Sequence, residues 1–245
     1  MVTSKDPQDY RNSHLKSGQL YDSNLAGSPF DHYMAVWEGK YIAKIVSDLF
    51  PSGIERYLDF ACGTGRITEK IVQFARQSTA VDISPSMLAE ARVKCPNTEF
   101  YLGDITVDDP ELGQFDLISS FRFFGNAQDE LRQAALNSIY KRLAPGGKLL
   151  INSHRNPRAI YALLDRVTGG NAGGMDLHLG KLRRLLAMHQ MKITRLQPIG
   201  VRLYRAGLME ACLPNSLLSI SNESKFGSKY FAAFSPDLII VAEKC

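Results

Sequence analysis

Two glycines and an acidic residue follow the first apolar strand of the sequence, in a run that reads DFACGTG over residues 59–65. Because Gly63 and Gly65 lack a Cβ, the backbone there can turn tightly and approach a ligand closely. Asp59 stands where its carboxylate can order this loop or meet a cationic group. A G-x-G pattern alone is a weak indication of a nucleotide site, so its meaning depends on what accompanies it.

Two further acidic residues end the second and third strands of the same region. Asp82 ends the second strand, where a carboxylate can accept hydrogen bonds from both hydroxyls of a ribose. Asp104 ends the third strand, where it can accept from an adenine amino group. The run LAPGGK at residues 143–148 then makes a turn into a fifth strand. The set predicts a site for an adenine nucleoside.

This combination resembles the class I S-adenosylmethionine-dependent methyltransferases. The resemblance is clear over about residues 30–155 and extends less clearly to the last two strands. Its strand-end acids and glycine loop match Asp59, Gly63, Gly65, Asp82 and Asp104, and its L-x-P-G-G turn matches residues 143–147. It implies S-adenosylmethionine as cofactor and S-adenosylhomocysteine as product. Ala61 departs from the family, which frequently has a glycine there.

The resemblance also implies which residues contact the cofactor. Met87 is expected against the adenine with Ile83 and Ile105 on its flanks, although core packing is the alternative for all three. Ser119 and Phe121, after the fourth strand, are expected near the sulfonium, and Phe60 and its neighbours beside the methionine portion. The full expected set is Asp59, Ala61, Cys62, Gly63, Gly65, Asp82, Ile83, Met87, Asp104, Ile105, Ser119 and Phe121.

Methyl transfer from a sulfonium is an in-line displacement, so positioning supplies most of the catalysis and a base is needed only for acceptors such as hydroxyls. His154, just past the fifth strand, is the candidate base, with a backbone-bonded turn histidine as the alternative. Arg122 is a candidate for fixing an acceptor carboxylate or phosphate, or else a structural ion pair. In similar small-molecule enzymes an N-terminal tyrosine covers the site. Tyr21 fits that role, with Tyr10 and Tyr33 as rivals.

Strands alternating with helices must position these residues, and they predict an α/β fold with a doubly wound, mostly parallel, seven-stranded sheet. Helical spacing predicts a helix over residues 29–49 and another over 67–76. Asn126 is predicted to cap a helix that runs to residue 143, with Asp129 at its capping-box position. Pro157 is predicted to open a further helix that runs to residue 167.

The chain is expected to form a single domain over residues 1–245, with an N-terminal helical segment and a lid insertion in its C-terminal half. An N-terminal cap segment spans residues 1–28 and the cofactor-binding core residues 29–155. A variable acceptor-side region spans 156–233, and a final strand lies in 234–245.

Composition limits the partners that are expected. Residues 151–210 carry 10 Lys and Arg against 3 Asp and Glu, a net charge of +7, which is either a solvated helix face or a surface for an anionic acceptor. A small-molecule acceptor is favoured, with RNA methylation as the runner-up and a non-catalytic cofactor-binding protein as a third reading. The isolated cysteines and acids suggest neither zinc nor another metal, and a cytoplasmic protein without membrane or signal segments is expected.

Overall fold

A computed structural model describes residues 10–12, 29–154, 156–158, 177–199, 235 and 237–245. The α-helices are α1 (Pro29–Leu49), α2 (Thr68–Ile71), α3 (Pro85–Lys94), α4 (Asp129–Arg142) and α5 (Leu179–Met188). The strands are β1 (Ile54–Phe60), β2 (Ala75–Asp82), β3 (Glu99–Leu102), β4 (Phe115–Ser120), β5 (Leu143–Ser153), β6 (Met191–Ile199) and β7 (Asp237–Lys244). Short 3₁₀ turns occupy Tyr10–Asn12 and Val72–Phe74.

The strands form one seven-stranded sheet in the order β3-β2-β1-β4-β5-β7-β6. Strands β1 to β5 are parallel to one another, whereas β7 is antiparallel to both β5 and β6. The strand order reverses between β1 and β4, and such a switch point leaves a crevice at the carboxyl ends of the strands. The predicted doubly wound, mostly parallel sheet is confirmed.

Helix α1 covers one face of this sheet. Its apolar residues recur at helical spacing, so Met34, Ile42, Ile45 and Val46 lie on one side and are each at most 3% exposed. They pack in one cluster with sheet residues such as Leu117. The helix predicted over residues 29–49 is confirmed with the same bounds.

The helix predicted over residues 67–76 is shorter than expected. Only Thr68–Ile71 is α-helical, a 3₁₀ turn follows, and β2 begins at Ala75. Ala75 pairs with Ile54 of β1, so parallel strand pairing extends into residues that the helical spacing had assigned to the helix. Tertiary pairing here overrides a weak local preference.

The prediction that Asn126 caps α4 is wrong. The residue that caps the helix is Gln128, and no side chain makes a capping hydrogen bond there. The Asn126 amide instead donates to the carbonyl of Arg122 and closes the turn after β4. Asp129 bonds Arg132 and Lys181, both at 2.7 Å, instead of completing a capping box.

Candidate functional site

A cavity opens at the carboxyl ends of β1, β2 and β3, beside the loop that follows β4. Parallel strands bring these ends to the same edge of the sheet, so residues far apart in sequence meet there. The lining residues are Tyr10, Arg11, Asp59, Phe60, Ala61, Cys62, Gly63, Thr64, Arg66, Ile67, Val81, Asp82, Ile83, Ser84, Met87, Gly103, Asp104, Ile105, Thr106, Phe121, Arg122, Phe123 and Leu131. Of the predicted cofactor contacts, all but Gly65 and Ser119 line the cavity.

The glycine loop after β1 has two positions that favour glycine for different reasons. Gly63 has a φ of 55°, and a Cβ built on it would have no atom within 4 Å, so its backbone faces open space. Gly65 has a φ of 76°, and its Cβ would stand 3.0 Å from the Ala91 Cβ of α3. The first glycine therefore leaves room on the ligand side, and the second allows α3 to pack closely.

Ala61 adopts a left-handed backbone conformation, with a φ of 56°. That conformation is costly for a residue with a Cβ, by roughly 1–2 kcal/mol. This strain gives a physical reason why a glycine is frequent at the matching position of the family that the loop resembles.

Asp59 is buried and orders the loop through two hydroxyl groups. Its Oδ2 accepts from Thr68 Oγ1 at 2.6 Å and its Oδ1 accepts from Ser119 Oγ at 2.7 Å. Burial raises the pKa of Asp59 from 3.8 to about 6, because the hydroxyl hydrogen bonds only partly offset the loss of water. Ser119 is thereby a support of Asp59, and it does not line the cavity.

Asp82 joins the loops after β1 and β2. Its Oδ2 accepts from the Gly63 backbone amide at 2.8 Å, and its Oδ1 accepts from the Ser84 amide at 2.9 Å. Its carbonyl also accepts from the Gly103 amide at 3.1 Å. The carboxylate therefore has a fixed orientation at the rim of the cavity.

Asp104 is held by its own loop and by the N-terminal segment. Its Oδ1 accepts from the Thr106 amide at 2.9 Å, and its Oδ2 accepts from Arg11 Nε at 2.6 Å. Partial burial tends to raise the pKa of Asp104, but the Thr106 and Arg11 hydrogen bonds outweigh it and lower the pKa below 3.8. Asp104 is accordingly an ionised acceptor at neutral pH.

Tyr10 and Arg11 bring the N-terminal segment to the cavity. The Tyr10 hydroxyl donates to the Arg122 carbonyl at 3.3 Å, and its ring meets the Phe123 edge with centroids 5.7 Å apart. Arg11 also donates to Thr106 Oγ1 at 3.0 Å. Tyr21, the residue predicted to cover the site, lies outside the described residues. No sequence motif marks Arg11, which was not predicted.

The apolar residues expected around an adenine lie in the cavity wall. Met87 is 3% exposed and Ile105 is 4% exposed, so both serve the core as well as the cavity. Phe121 lines the wall next to Arg122. Phe123 and Phe124 are core residues, and Phe123 also reaches the cavity.

Arg122 has a left-handed backbone, with a φ of 59°, at the point where the chain leaves β4. Its amide donates to Asn152 Oδ1 at 2.7 Å, and its carbonyl accepts from Asn126 and Tyr10. Backbone strain of this kind persists only where surrounding contacts impose it, and it clusters at functional sites. The two asparagines and the tyrosine thus fix the loop that borders the cavity.

His154 follows β5 and pairs with Asp237, the first residue of β7. The Nδ1 atom of His154 is 3.0 Å from Asp237 Oδ1 and 3.1 Å from Oδ2. The two side chains are 13% and 6% exposed, so the pair is largely screened from water. His154 does not line the cavity. Asp237 was not predicted, because it is separated from His154 by 83 residues and no motif marks it.

The basic stretch at residues 151–210 is partly neutralised where the structure describes it. Lys181 bonds Asp129 at 2.7 Å and Arg195 bonds Asp48 at 2.9 Å, whereas Arg183 and Arg184 are exposed. Its other basic members include Arg155, Arg166, Arg202 and Arg205, which lie outside the described residues. The predicted helix over 157–167 also falls mostly outside them.

Within the described part of the chain, no group of three or more His, Cys, Asp and Glu side chains is arranged to hold a metal ion. The helices described there include none that is long and apolar enough to cross a bilayer.

Comparison with known proteins identifies a methyltransferase domain by its family model over residues 58–147. The chain is 25% identical over 174 residues to the ubiquinone biosynthesis O-methyltransferase of Xanthomonas euvesicatoria pv. vesicatoria, covering 62% of this chain and 69% of that relative. It is 30% identical over 135 residues to the magnesium-protoporphyrin O-methyltransferase of Rhodobacter capsulatus, covering 46% of this chain and 59% of that relative.

Among solved structures, the magnesium protoporphyrin IX methyltransferase of Synechocystis PCC 6803 with bound S-adenosylhomocysteine superposes with a TM-score of 0.64. The match covers 96% of this chain and 97% of that chain at 15% identity, so it shows a shared fold. The N-methyltransferase NodS from Bradyrhizobium japonicum matches at a TM-score of 0.59 and 16% identity, covering 90% of each chain.

Proposed function

We propose that the chain is a class I S-adenosylmethionine-dependent methyltransferase and that it methylates an oxygen or nitrogen atom of a small metabolite. The cofactor predicted from the sequence, S-adenosylmethionine, is supported by similar structures that were solved with S-adenosylhomocysteine or S-adenosylmethionine bound. The observation that carries the proposal is the cavity itself, where the glycine loop, Asp82 and Asp104 meet at one edge of the sheet.

The residues present fit this cofactor. Open space over Gly63 allows close approach of a ligand to the loop. Asp82 presents a fixed carboxylate suited to ribose hydroxyls, and Met87 and Ile105 offer an apolar wall for the adenine. Asp104 supplies an ionised acceptor for the adenine amino group. When bound, the cofactor supplies a methyl carbon on a sulfonium sulfur, which is already an activated leaving group.

The chain itself supplies position and, for a hydroxyl acceptor, a base. Bringing the acceptor atom close to the methyl carbon accounts for most of the rate in such a displacement. His154 is the proposed base, Arg122 the proposed partner of an acidic group on the acceptor, and Tyr21 the proposed cover of the site. The variable region over residues 156–233 is proposed to supply the acceptor lid within a single domain.

The small-metabolite assignment is supported by the names of the relatives, which are O-methyltransferases of ubiquinone biosynthesis and of magnesium-protoporphyrin. RNA is the second candidate, and the observation favouring it is the net charge of +7 in residues 151–210. The ion pairs of Lys181 and Arg195 use part of that charge within the protein, which weakens the case. A cytoplasmic location is proposed because the described cysteines, Cys62, Cys95 and Cys245, are all free thiols.

Transfer of a tritiated methyl group from S-adenosylmethionine tests the proposal. The purified protein is offered total tRNA in one reaction, and phenols, carboxylic acids and amines of low mass in others. We expect label on a small acceptor and none above the no-enzyme level on tRNA. Label on tRNA, with RNA binding that weakens steeply as salt is added, would establish the RNA alternative. Tight cofactor binding without transfer to any acceptor would favour a non-catalytic binding protein.

A further inference from the structure

We propose that Asp237 is a positioning residue, which holds the His154 imidazole with its proton on Nδ1 so that Nε2 takes a proton from a hydroxyl acceptor. This inference rests on the proposed methyltransferase function and narrows it from oxygen or nitrogen to oxygen. It assigns a role to a side chain that no motif of the sequence marks.

The tautomer follows from the geometry of the pair. An ionised carboxylate only accepts hydrogen bonds, and both Asp237 oxygens face His154 Nδ1 at 3.0 and 3.1 Å. Nδ1 must therefore carry the hydrogen, and Nε2 of the neutral ring keeps its lone pair. A carboxylate that binds one ring nitrogen fixes in this way which nitrogen is basic.

Asp237 is well placed to hold the ring rigidly. It begins β7, which runs between β5 and β6, and it pairs in register with Ile199 while its neighbour Leu238 pairs with Ser153. Its carbonyl also accepts from Ser235 Oγ at 2.8 Å. With both side chains supplied by strand ends of one sheet, the imidazole is oriented by rigid elements.

Burying the His154–Asp237 pair costs free energy that an exposed contact would not cost. Asp237 is 4% exposed, and a buried carboxylate is unfavourable unless it is paired and hydrogen-bonded. A neutral residue of similar size would close the sheet at this point more cheaply. A carboxylate at this position stabilises its partner, His154, if the imidazole must accept a positive charge during turnover.

His154 lies beside the loop after β4 that lines the cavity, although its own side chain is not part of the lining. Asn152 stands near the end of β5, two residues before His154. Asn152 binds the backbone of Arg122, which lines the cavity. A Cβ on Gly125, in the same loop, would lie 3.2 Å from the His154 carbonyl. The backbone of His154 thus packs against the loop that forms this wall, and we propose that its Nε2 faces the acceptor.

An acceptor hydroxyl makes use of this arrangement, whereas a neutral amine attacks without losing a proton first. The acceptor oxygen gives its proton to His154 Nε2 and bonds to the methyl carbon. The bond from that carbon to sulfur breaks, and its electron pair stays on the sulfur. The imidazolium then formed is stabilised by Asp237 until it releases the proton to solvent.

The first test reads the tautomer and requires no acceptor. Long-range ¹⁵N–¹H correlation spectra of the full chain identify the His154 ring by comparison with His154→Gln. We expect the Nδ1–H tautomer in the wild type at high pH, and a shift toward Nε2–H in Asp237→Asn. Asp48→Asn, which removes a carboxylate from a surface ion pair with Arg195, is the matched control and leaves the spectrum of His154 unchanged.

The second test uses turnover on a hydroxyl acceptor identified by the methyl-transfer screen. Asp237→Asn is expected to lower kcat about 100-fold while the KM for S-adenosylmethionine changes less than about two-fold, because a general base contributes roughly 10²–10⁴-fold. Asp237→Glu, which keeps a carboxylate, restores most of the loss. Thermal melting and S-adenosylhomocysteine binding show that each variant is folded.

A wild-type His154 with its proton on Nε2, or one that is unchanged by Asp237→Asn, overturns the positioning role. Unaltered kcat in that variant overturns it as well, and methylation of amines but not hydroxyls overturns the choice of oxygen. The failure of the wild type to methylate any small acceptor instead contradicts the proposed function, and the spectra still decide the role of Asp237.

Discussion

On the side of the sheet edge that we propose for the cofactor, carboxylates bind groups close to them in sequence or on adjacent strand ends, apart from the contact of Asp104 with Arg11. Asp82 accepts from Gly63 and Ser84, and Asp104 accepts from Thr106. On the side that we propose for the acceptor, around Asn152 and His154, contacts join residues of different segments. Asn152 binds Arg122, and His154 binds Asp237 across 83 residues. The proposed cofactor side is thus assembled mainly by local loops and adjacent strand ends, whereas the His154–Asp237 pair depends on the pairing of β7 with β5.

This contrast predicts that substitutions on one side lower turnover without weakening cofactor binding, and that substitutions on the other side weaken cofactor binding. The largest expected effect is that of His154→Gln on a hydroxyl acceptor, where kcat falls roughly 10²–10⁴-fold through loss of the base. Calorimetric affinity for S-adenosylhomocysteine stays within about two-fold, since His154 does not line the cofactor cavity. His189→Gln is the control and keeps full activity. A loss of S-adenosylhomocysteine affinity in His154→Gln that matches its loss of kcat would contradict the separation of the two sides.

The second effect concerns the pH dependence of stability on the cofactor side. The pKa of Asp59 is about 6 in the fold against 3.8 ordinarily, so the folded protein binds the extra proton between these values. Stability from this group is therefore complete below about pH 4 and is lost as pH rises through about 6, by roughly 3 kcal/mol in total. Asp59→Asn removes that loss.

Urea unfolding of the wild type and Asp59→Asn at several pH values measures this difference. The free energy of unfolding of the variant, relative to that of the wild type, should rise between about pH 4 and pH 7. A difference that stays constant over that range would show that Asp59 ionises in the fold as it does in water.

The third effect separates the two glycines of the loop. Gly65→Ala combines a left-handed backbone with a Cβ only 3.0 Å from Ala91, so we expect about 1–3 kcal/mol of destabilisation. Gly63→Ala meets no atom and carries only backbone strain of about 1–2 kcal/mol, but it places a methyl group where the cofactor approaches. Gly63→Ala should thus have the larger free energy of unfolding of the two variants, and Gly65→Ala should bind the cofactor more tightly. The reverse order in both measurements would contradict these assignments.

The smallest expected effect is a gain in stability. Ala61→Gly relieves the strain of a left-handed alanine at a φ of 56°, while the added flexibility of the unfolded chain offsets part of it. We expect a net stabilisation of at most about 1 kcal/mol in thermal melts, with cofactor affinity kept. Ala127→Gly, at a position without that strain, is the control and should lower stability. Equal losses in both variants would contradict the strain at Ala61.

The same contrast explains which elements and site residues could be predicted from the sequence. The bounds of α1 follow from local spacing, and the structure confirms them. The glycine loop and its acids were also predicted from local spacing, and Asp59, Gly63, Asp82 and Asp104 line one cavity. Asp237 and Arg11 could not be found in this way, because each meets its partner only once distant segments are packed. Asparagine is a typical helix-capping residue, yet the side-chain amide of Asn126 donates to the Arg122 carbonyl in the turn after β4.

Calorimetric titration of S-adenosylhomocysteine into the wild type, Asp82→Ala and Asp108→Ala tests the central claim most directly. Asp108 is an exposed carboxylate four residues beyond Asp104, which makes it a matched control. The account predicts binding by the wild type and the control, and affinity at least about 100-fold weaker in Asp82→Ala, a loss of about 3 kcal/mol. No binding by the folded wild type, or equal affinity in all three proteins, would contradict the assignment of this cavity to the cofactor.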